Sequence, residues 1–317
     1  MRAVRMHEFG GPDVLRLEHI ERSAPKQDEV LIRVHSAGVN YSDISRRRGT
    51  FRTSASLPYI PGLEAAGIIE EVGAAVTEFR PGDRVLAIMG GGGYAEFVTA
   101  KVEQLFLIPE ELGFAESTAL LVQGMTAVGL LSEAKAGQSI LIHAAAGGVG
   151  SILVQLAKLK GLRVTGTASS ADKLQMIVAL GGELGVNYTE PDWGEQARHA
   201  VGDRGFDIII EMVGGKIVGS NLDLLAVNGT MWVYGSASGE DYKLSVLDLL
   251  DKNLIVRGYW LTLEPPARRA EFASVLLQHV NEKRLRISVT EYPLERADEA
   301  HKAVEGRQTT GKVVLIV

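Results

Sequence analysis

Ser139-Ile-Leu-Ile-His-Ala-Ala-Ala-Gly-Gly-Val-Gly-Ser151 is the stretch on which the fold turns. It predicts a strand over 139–145, a glycine-rich turn, and a helix over 149–160. Gly147, Gly148 and Gly150 leave the backbone bare, so a pyrophosphate can approach it closely. A helix starting near Val149 points unpaired N–H groups and the positive end of its dipole at such an anion. Gly150 also lets that helix pack tightly on the strand. Ala145 stands where the G-x-G-x-x-G pattern has its first glycine, but the strand before and the helix after supply the context the pattern needs. Ala146, Gly147, Gly148, Val149 and Gly150 are therefore the candidate phosphate-binding residues.

Strand and helix alternate downstream. Strands are predicted over 163–168, 186–188, 206–213 and 229–235, with helices over 171–180 and 217–225. The 206–213 run is nearly all apolar, as a strand buried on both faces must be. Such alternation gives a parallel sheet flanked by helices, an α/β doubly wound fold. The second strand bears on the cofactor. NAD enzymes place an Asp or Glu at its tip to hold the ribose 2′-OH. Here the tip reads Thr167-Ala-Ser-Ser170, with no acid, and Lys173 follows on the next helix. Hydroxyls at Ser169 and Ser170 with a nearby cation suit a 2′-phosphate, hence NADPH. Asp172 lies past the tip and reads as a helix N-terminal acid. For Lys173 the alternative is an ordinary solvated helix residue.

Upstream the chain reads differently. Strands are predicted over 29–34, 66–72 and 84–89, punctuated by Pro61-Gly62, Pro81-Gly82-Asp83 and the glycine run 90–93. This predicts a barrel-like β domain. The pattern changes near Phe114, with helical spacing over 117–131. The tail carries an amphipathic helix over 266–282 and ends in a short apolar strand, 312–317, placed to return to the first domain. The boundaries are 1–118, 119–260 and 261–317.

A chain of 317 residues is too long for one ordinary core. Hydrophobic residues at 46% and charged residues at 23% fit a globular protein. A net charge of −6 offers no basic field for a nucleic acid. There is no cysteine, which removes disulfides, thiol nucleophiles and cysteine-held metals. The first ten residues do not form a signal peptide, and no uncharged apolar run approaches the roughly 18 residues that span a bilayer. No membrane partner is expected, and a cytoplasmic location follows.

The stretches Asn40-Tyr-Ser-Asp43, Pro61-Gly-Leu-Glu-Ala-Ala-Gly67, Pro81-Gly-Asp-Arg-Val85, His143-Ala-Ala-Ala-Gly-Gly-Val-Gly150 and Gly311-Lys-Val-Val-Leu315 occur in the order found in medium-chain dehydrogenases/reductases. Over essentially the whole chain the sequence resembles their zinc-independent quinone oxidoreductase branch. The AAxGGVG loop followed by Gln155 is the most specific part. The resemblance implies a GroES-like β-barrel catalytic domain, split between the chain ends around an inserted Rossmann domain. It also implies a cofactor in the cleft between them and, commonly, a homodimer. Zinc members carry a Cys where Asn40 stands, and a Gly-His-Glu triplet where this chain has Gly62-Leu63-Glu64. Their four-cysteine lobe is replaced by the turn at 90–93.

Without zinc nothing stabilises a developing alkoxide as a Lewis acid. Hydride addition to a quinone or enone instead gives a phenolate or enolate whose charge the substrate delocalises, and hydrogen-bond donors complete the task. Candidate donors lie in the 40–43 turn. Asn40 resembles the family's Asn near the nicotinamide ribose and substrate; the alternative is a turn residue bonded to its own backbone. Asp43 orients neighbours, and Tyr41 is either a donor or an aromatic of the cleft wall. The resemblance further places Thr126 near the phosphates or ribose, Tyr188 near the 2′-phosphate, and the 258–261 segment with Trp260 along the nicotinamide. Core packing is the alternative for Trp260. Val213, Tyr234, Gly235 and Ser236 sit at the strand ends where an open parallel sheet takes its ligand. Lys312 either lies at the surface or approaches the cofactor.

Two other functions compete. The 2-enoyl-thioester reductases also lack zinc, but their proposed acid is a Tyr where this chain has Phe51 in Gly49-Thr50-Phe51, and phenylalanine donates no proton. A non-catalytic NADPH-binding redox sensor is the other. Turnover of quinones against enoyl thioesters separates these from the quinone or enone reductase expected here.

Overall fold

The computed structural model describes residues 1–51 and 55–317. The chain forms two compact units, one from Met1–Val122 with Ile287–Val317, the other from Gln123–Arg286.

The Gln123–Arg286 unit is built on a six-stranded sheet ordered Leu184–Asn187, Arg163–Ala168, Ser139–Ile142, Phe206–Glu211, Leu225–Val233, Ile255–Gly258. All neighbours are parallel. Numbered along the chain this is 3-2-1-4-5-6, the Rossmann order, and the winding reverses between Ser139–Ile142 and Phe206–Glu211. Those two strands are the core of the unit: every residue of Ser139–Ile142 is buried, as is every residue of Phe206–Glu211 but Asp207. The carboxylate of Asp207 is tied to the backbone and hydroxyl of Ser139.

Three differences from the sequence reading have local causes. The first strand stops at Ile142, not 145, because Ala144 takes a positive φ of 50° and its carbonyl accepts the N–H of Gly147. The fifth strand begins at Leu225, ahead of the expected 229. It carries Asn228 at φ 61° and a register shift opposite Phe206 and Ile208, an irregularity that hides the strand period. The second crossing between units falls after Arg286 rather than after 260. Helix Pro266–Asn281 lies against helix Met125–Leu130, and Leu276 sits so near Gly124 that a Cβ there would be 2.8 Å from it.

In the other unit the eleven-residue strand Glu29–Val39 does most of the pairing. One edge carries Glu64–Val72. The other is shared: Phe97–Lys101 pairs its first half and the chain-terminal Lys312–Ile316 its second, all antiparallel. The sheet then extends through Arg84–Ile88 and Leu105–Leu107 on one side and Val289–Pro293 on the other. The core is packed from Val30, Ile32, Val34, Ala65, Ile69, Val85, Ala87, Val313 and Leu315, the inward positions of these strands.

The helical spacing at 117–131 does not give one helix. Helix Phe114–Ala119 is followed by a wider π turn at Leu120–Gly124 and then by helix Met125–Leu130. Within that turn the Val122 N–H donates to the Glu64 carboxylate at 3.1 Å. Among the described residues no helix is long and apolar enough to cross a membrane.

Candidate functional site

The phosphate loop is open at its mouth and tight at its base. Gly147 is the cap of helix Gly148–Leu159 and, being glycine, brings no side chain to cap it. Gly147, Gly148 and Val149 are part-exposed, so the first amides of the helix face outward with no partner inside the helix. Ala146 and Gly150 are buried behind them. A Cβ on Gly150 would lie 2.3 Å from the Ala144 carbonyl oxygen and 2.7 Å from Ala145 Cα, so helix and turn meet at backbone distance. A bare, anion-ready helix end on a sheet that reverses its winding fits a dinucleotide diphosphate.

The tips of the neighbouring strands hold the residues chosen for the 2′-phosphate. Ser169 and Ser170 follow strand Arg163–Ala168, with Ser170 exposed at the start of helix Ala171–Ala179. Tyr188 closes the next strand, its N–H bonded to Ala168 O at 3.1 Å. Lys173, in the first turn of helix Ala171–Ala179, and Tyr188 are half-buried.

Beyond the reversal point, Val213 donates its N–H to Glu211, and Tyr234 donates to the Glu211 carbonyl at 3.0 Å. Gly235 and Ser236 continue the same loop, Ser236 exposed. Thr126 is buried in the first turn of helix Met125–Leu130, and Trp260 is 45% exposed beyond the edge strand. Under this rim lies a buried network that sequence reasoning does not reach. His143 Nδ1 meets Thr167 Oγ1 at 3.0 Å, and its Nε2 meets Asn221 Oδ1 at 2.7 Å. Asn221 Nδ2 in turn donates to Glu211, which also accepts the N–H of Gly214. The network ties the ends of the first, second and fourth strands together.

The Met1–Val122 unit, taken by itself, holds the 40–43 turn. Asn40 closes strand Glu29–Val39 and caps helix Tyr41–Arg47; its N–H donates to Asp43 Oδ2 at 2.9 Å. The side chain reaches beyond its own turn. Nδ2 donates to Glu64 Oε1 at 2.9 Å, and Oδ1 accepts from Lys312 Nζ at 3.0 Å. The reading of Asn40 as a residue bonded only to its own backbone is thereby set aside. Tyr41 is half-buried at the first helical position, while Asp43 is fully buried and also accepts the Gly62 N–H at 3.1 Å.

Lys312 needs the clearest correction. It is not at the surface: it is 2% exposed, and its ammonium bonds Glu64 Oε1 at 2.5 Å, Asn40 Oδ1, and Val39 O at 3.2 Å. A lysine has three donors, and all are spent on these acceptors. Burial lowers its pKa, against the pull of Glu64. Burial pushes the Asp43 carboxyl up to about 6, although the Asn40 and Gly62 amides and the Lys312 charge favour its ionised form. Glu64 is the functional residue that sequence reasoning misses. Its signal is the triplet Gly62-Leu63-Glu64, which holds the acid one residue after Leu63.

Phe51 lies beneath the Arg46 guanidinium, 4.3 Å from ring centre to carbon, a cation–π contact with no acid in it. Among the described residues no group of three or more His, Cys, Asp or Glu is arranged to hold a metal.

A Rossmann sheet with an open phosphate loop, joined to a β unit assembled from both chain ends, defines a two-unit dinucleotide-dependent dehydrogenase or reductase. The family described as "Alcohol dehydrogenase GroES-like domain" matches residues 26–110, and that described as "Zinc-binding dehydrogenase" matches residues 148–281. Quinone oxidoreductase of Rattus norvegicus is 35% identical over 324 residues, covering 100% of this chain and 98% of the relative. Escherichia coli quinone oxidoreductase complexed with NADPH superposes with a TM-score of 0.95 at 29% identity, and a mycobacterial protein complexed with NADPH with 0.94 at 32%, each covering 100% of both chains. The chain belongs to the quinone oxidoreductase branch of the medium-chain dehydrogenase/reductase superfamily.

Proposed function

We propose that this protein is an NADPH-dependent, zinc-independent reductase that transfers hydride to a quinone or another conjugated carbonyl compound. The observation that carries the reading is the full-length likeness to quinone oxidoreductases, two solved relatives being bound to NADPH, together with a phosphate loop whose helix is capped by a glycine, Gly147. When bound, NADPH supplies the hydride and its electron pair.

The chain's own residues do the rest. The amides after Gly147 hold the diphosphate. Ser169, Ser170, Lys173 and Tyr188 select the 2′-phosphate by hydrogen bonds and charge. Thr126, Val213, Tyr234, Gly235, Ser236 and Trp260 position the ribose and nicotinamide ends. Asn40 offers a fixed amide to the oxygen on which charge develops, with Asp43 shaping its turn and Tyr41 beside it. Lys312 has no donor to spare for a phosphate, and its part is to hold Asn40.

Zinc-independence is supported by the chemistry at the ligand positions. The sequence has no cysteine, and Asn40 and Leu63 stand where zinc relatives carry Cys and His. A delocalising acceptor fits a site that lacks a Lewis acid. A homodimer is supported by the outermost strand Ile255–Gly258, which has a paired neighbour on one side only among the described residues, and by the exposed Val246, Leu247, Leu250 and Leu263 flanking it in sequence.

The test is NADPH oxidation over a panel of quinones, enones and enoyl thioesters, with Asn40→Ala alongside. Quinones or enones turn over, and the variant loses about a hundredfold in kcat. Tight NADPH binding with no acceptor reduced overturns the reading. Sedimentation gives the oligomeric state.

A further inference from the structure

We propose that Lys312 and Glu64 act on the reaction through Asn40, as a charge lock that holds its side-chain amide in one plane and one orientation. The inference rests on the reading of Asn40 as the residue that meets the reacting carbonyl.

An asparagine amide is nearly symmetric in shape, and only its partners tell oxygen from nitrogen. Here the partners carry opposite full charges. Oδ1 faces the Lys312 ammonium at 3.0 Å, and Nδ2 faces Glu64 Oε1 at 2.9 Å. Turning the amide over sets N–H against ammonium and carbonyl against carboxylate. Two charge-assisted bonds would become two repulsive contacts among buried groups.

The lock is itself held. Lys312 and Glu64 bond each other, and both are buried. The ammonium also bonds the carbonyl of Val39, the residue before Asn40, and the second oxygen of Glu64 accepts the Val122 N–H from the π turn. Gly38 makes the space, since a Cβ there would lie 2.3 Å from Glu64 Oε1. Strand Lys312–Ile316 delivers the lysine, because Val313 pairs with Val39 in register. The chain end is thus a working part of the 40–43 turn.

The test is a double-mutant cycle of Lys312→Met and Asn40→Ala, read by steady-state kinetics with a quinone and by NADPH titration. Lys312→Met lowers kcat by about tenfold or more, leaves the NADPH Kd within about twofold, and adds nothing further in the Asn40→Ala background. A rise of about tenfold in the NADPH Kd with kcat retained would make Lys312 a cofactor ligand and overturn the lock, as would losses that simply multiply. If Lys312→Met does not fold because Glu64 is left buried and unpaired, Lys312→Met/Glu64→Gln removes both charges and is expected to show the same loss. The Asn40 side-chain NH₂ resonances give a readout independent of turnover. Wild type shows one distinct pair that collapses or broadens in Lys312→Met, and an unchanged pair overturns the proposal. A wild type that reduces no quinone defeats the reductase reading, while the NH₂ signals still decide the lock.

Discussion

Gln155 and Arg286 grip each other through both ends of an amide: Gln155 Nε2 donates to the Arg286 carbonyl at 3.0 Å, and the Arg286 N–H donates to Gln155 Oε1 at 2.8 Å. A side chain on the helix after the phosphate loop thus imitates a strand partner for the last residue of its unit. It fixes where the chain leaves that unit. Gln155→Leu keeps the volume but strands both backbone groups of Arg286. The loss is about 1–3 kcal/mol, read as a lower urea midpoint with the same slope. Gln155→Glu keeps the bond from the Arg286 N–H but sets a carboxylate oxygen against the carbonyls of Arg286 and Ser151, so it also lowers the midpoint.

Gly150 makes a sharper prediction, because its neighbours are backbone and cannot rotate away. An added Cβ meets the Ala144 carbonyl oxygen at 2.3 Å and Ala145 Cα at 2.7 Å. The helix must move off the strand, and its amides move with it. Gly150→Ala therefore costs about 1–3 kcal/mol of stability. It also weakens NADPH by about tenfold or more if, as proposed, those same amides hold the diphosphate. Fluorescence titration beside thermal unfolding checks both. Unchanged affinity would mean that the amides after Gly147 are not the phosphate ligands.

The parallel unit was legible because each signal is local. A glycine loop between an apolar strand and a helix needs only thirteen consecutive residues, and strand order then follows from alternation. The pieces that escaped are those whose reason lies far along the chain. Helix Ala297–Glu305 buries Ala297, Ala300, His301 and Ala303, residues too small or too polar to mark a hydrophobic stripe. Strand Ile255–Gly258 is four residues at a sheet edge and none is buried, so it has no period to detect. Within the π turn the Val122 N–H donates to Glu64, 58 positions away. Asn40 and Asp43 were legible as types in a turn. Their meaning was not, because Lys312 lies 272 residues from Asn40 and arrives only when the last strand pairs.

In the function proposed above, cofactor choice rests on the tips of the second and third strands. Ser169, Ser170, Lys173 and Tyr188 gather where NAD enzymes carry an acid. Lys173→Glu puts a negative charge beside the 2′-phosphate. It raises the NADPH Kd by about tenfold or more and leaves NADH within about twofold, a selectivity measured by paired titrations. Equal effects on both cofactors would place Lys173 among the solvated helix residues instead.

The buried acid of the 40–43 turn gives stability a pH dependence of definite sign. Asp43 rises from an ordinary carboxyl value of 3.8 to about 6 on folding, first because it is buried, with Glu64 adding to the rise. A raised folded pKa means that the native state holds the proton more tightly than the unfolded chain. The contribution is therefore complete below about pH 4 and is lost as pH climbs through about 6. Its full size is ~3 kcal/mol. Other carboxyls slope the opposite way: Glu96, Asp298 and Glu299 are held below their usual range, chiefly by bonds to Arg2, Lys302 and Arg296. The contribution of Asp43 is isolated by comparison with Asp43→Asn, which cannot ionise. The variant loses one acceptor for the Asn40 and Gly62 amides and is less stable in acid. The gap to wild type then narrows between about pH 4 and pH 6, because only wild type must ionise a buried acid as pH rises. Urea unfolding of both proteins at half-unit pH steps shows it, and a gap that stays constant across that window would mean that Asp43 titrates alike in the folded and unfolded chains.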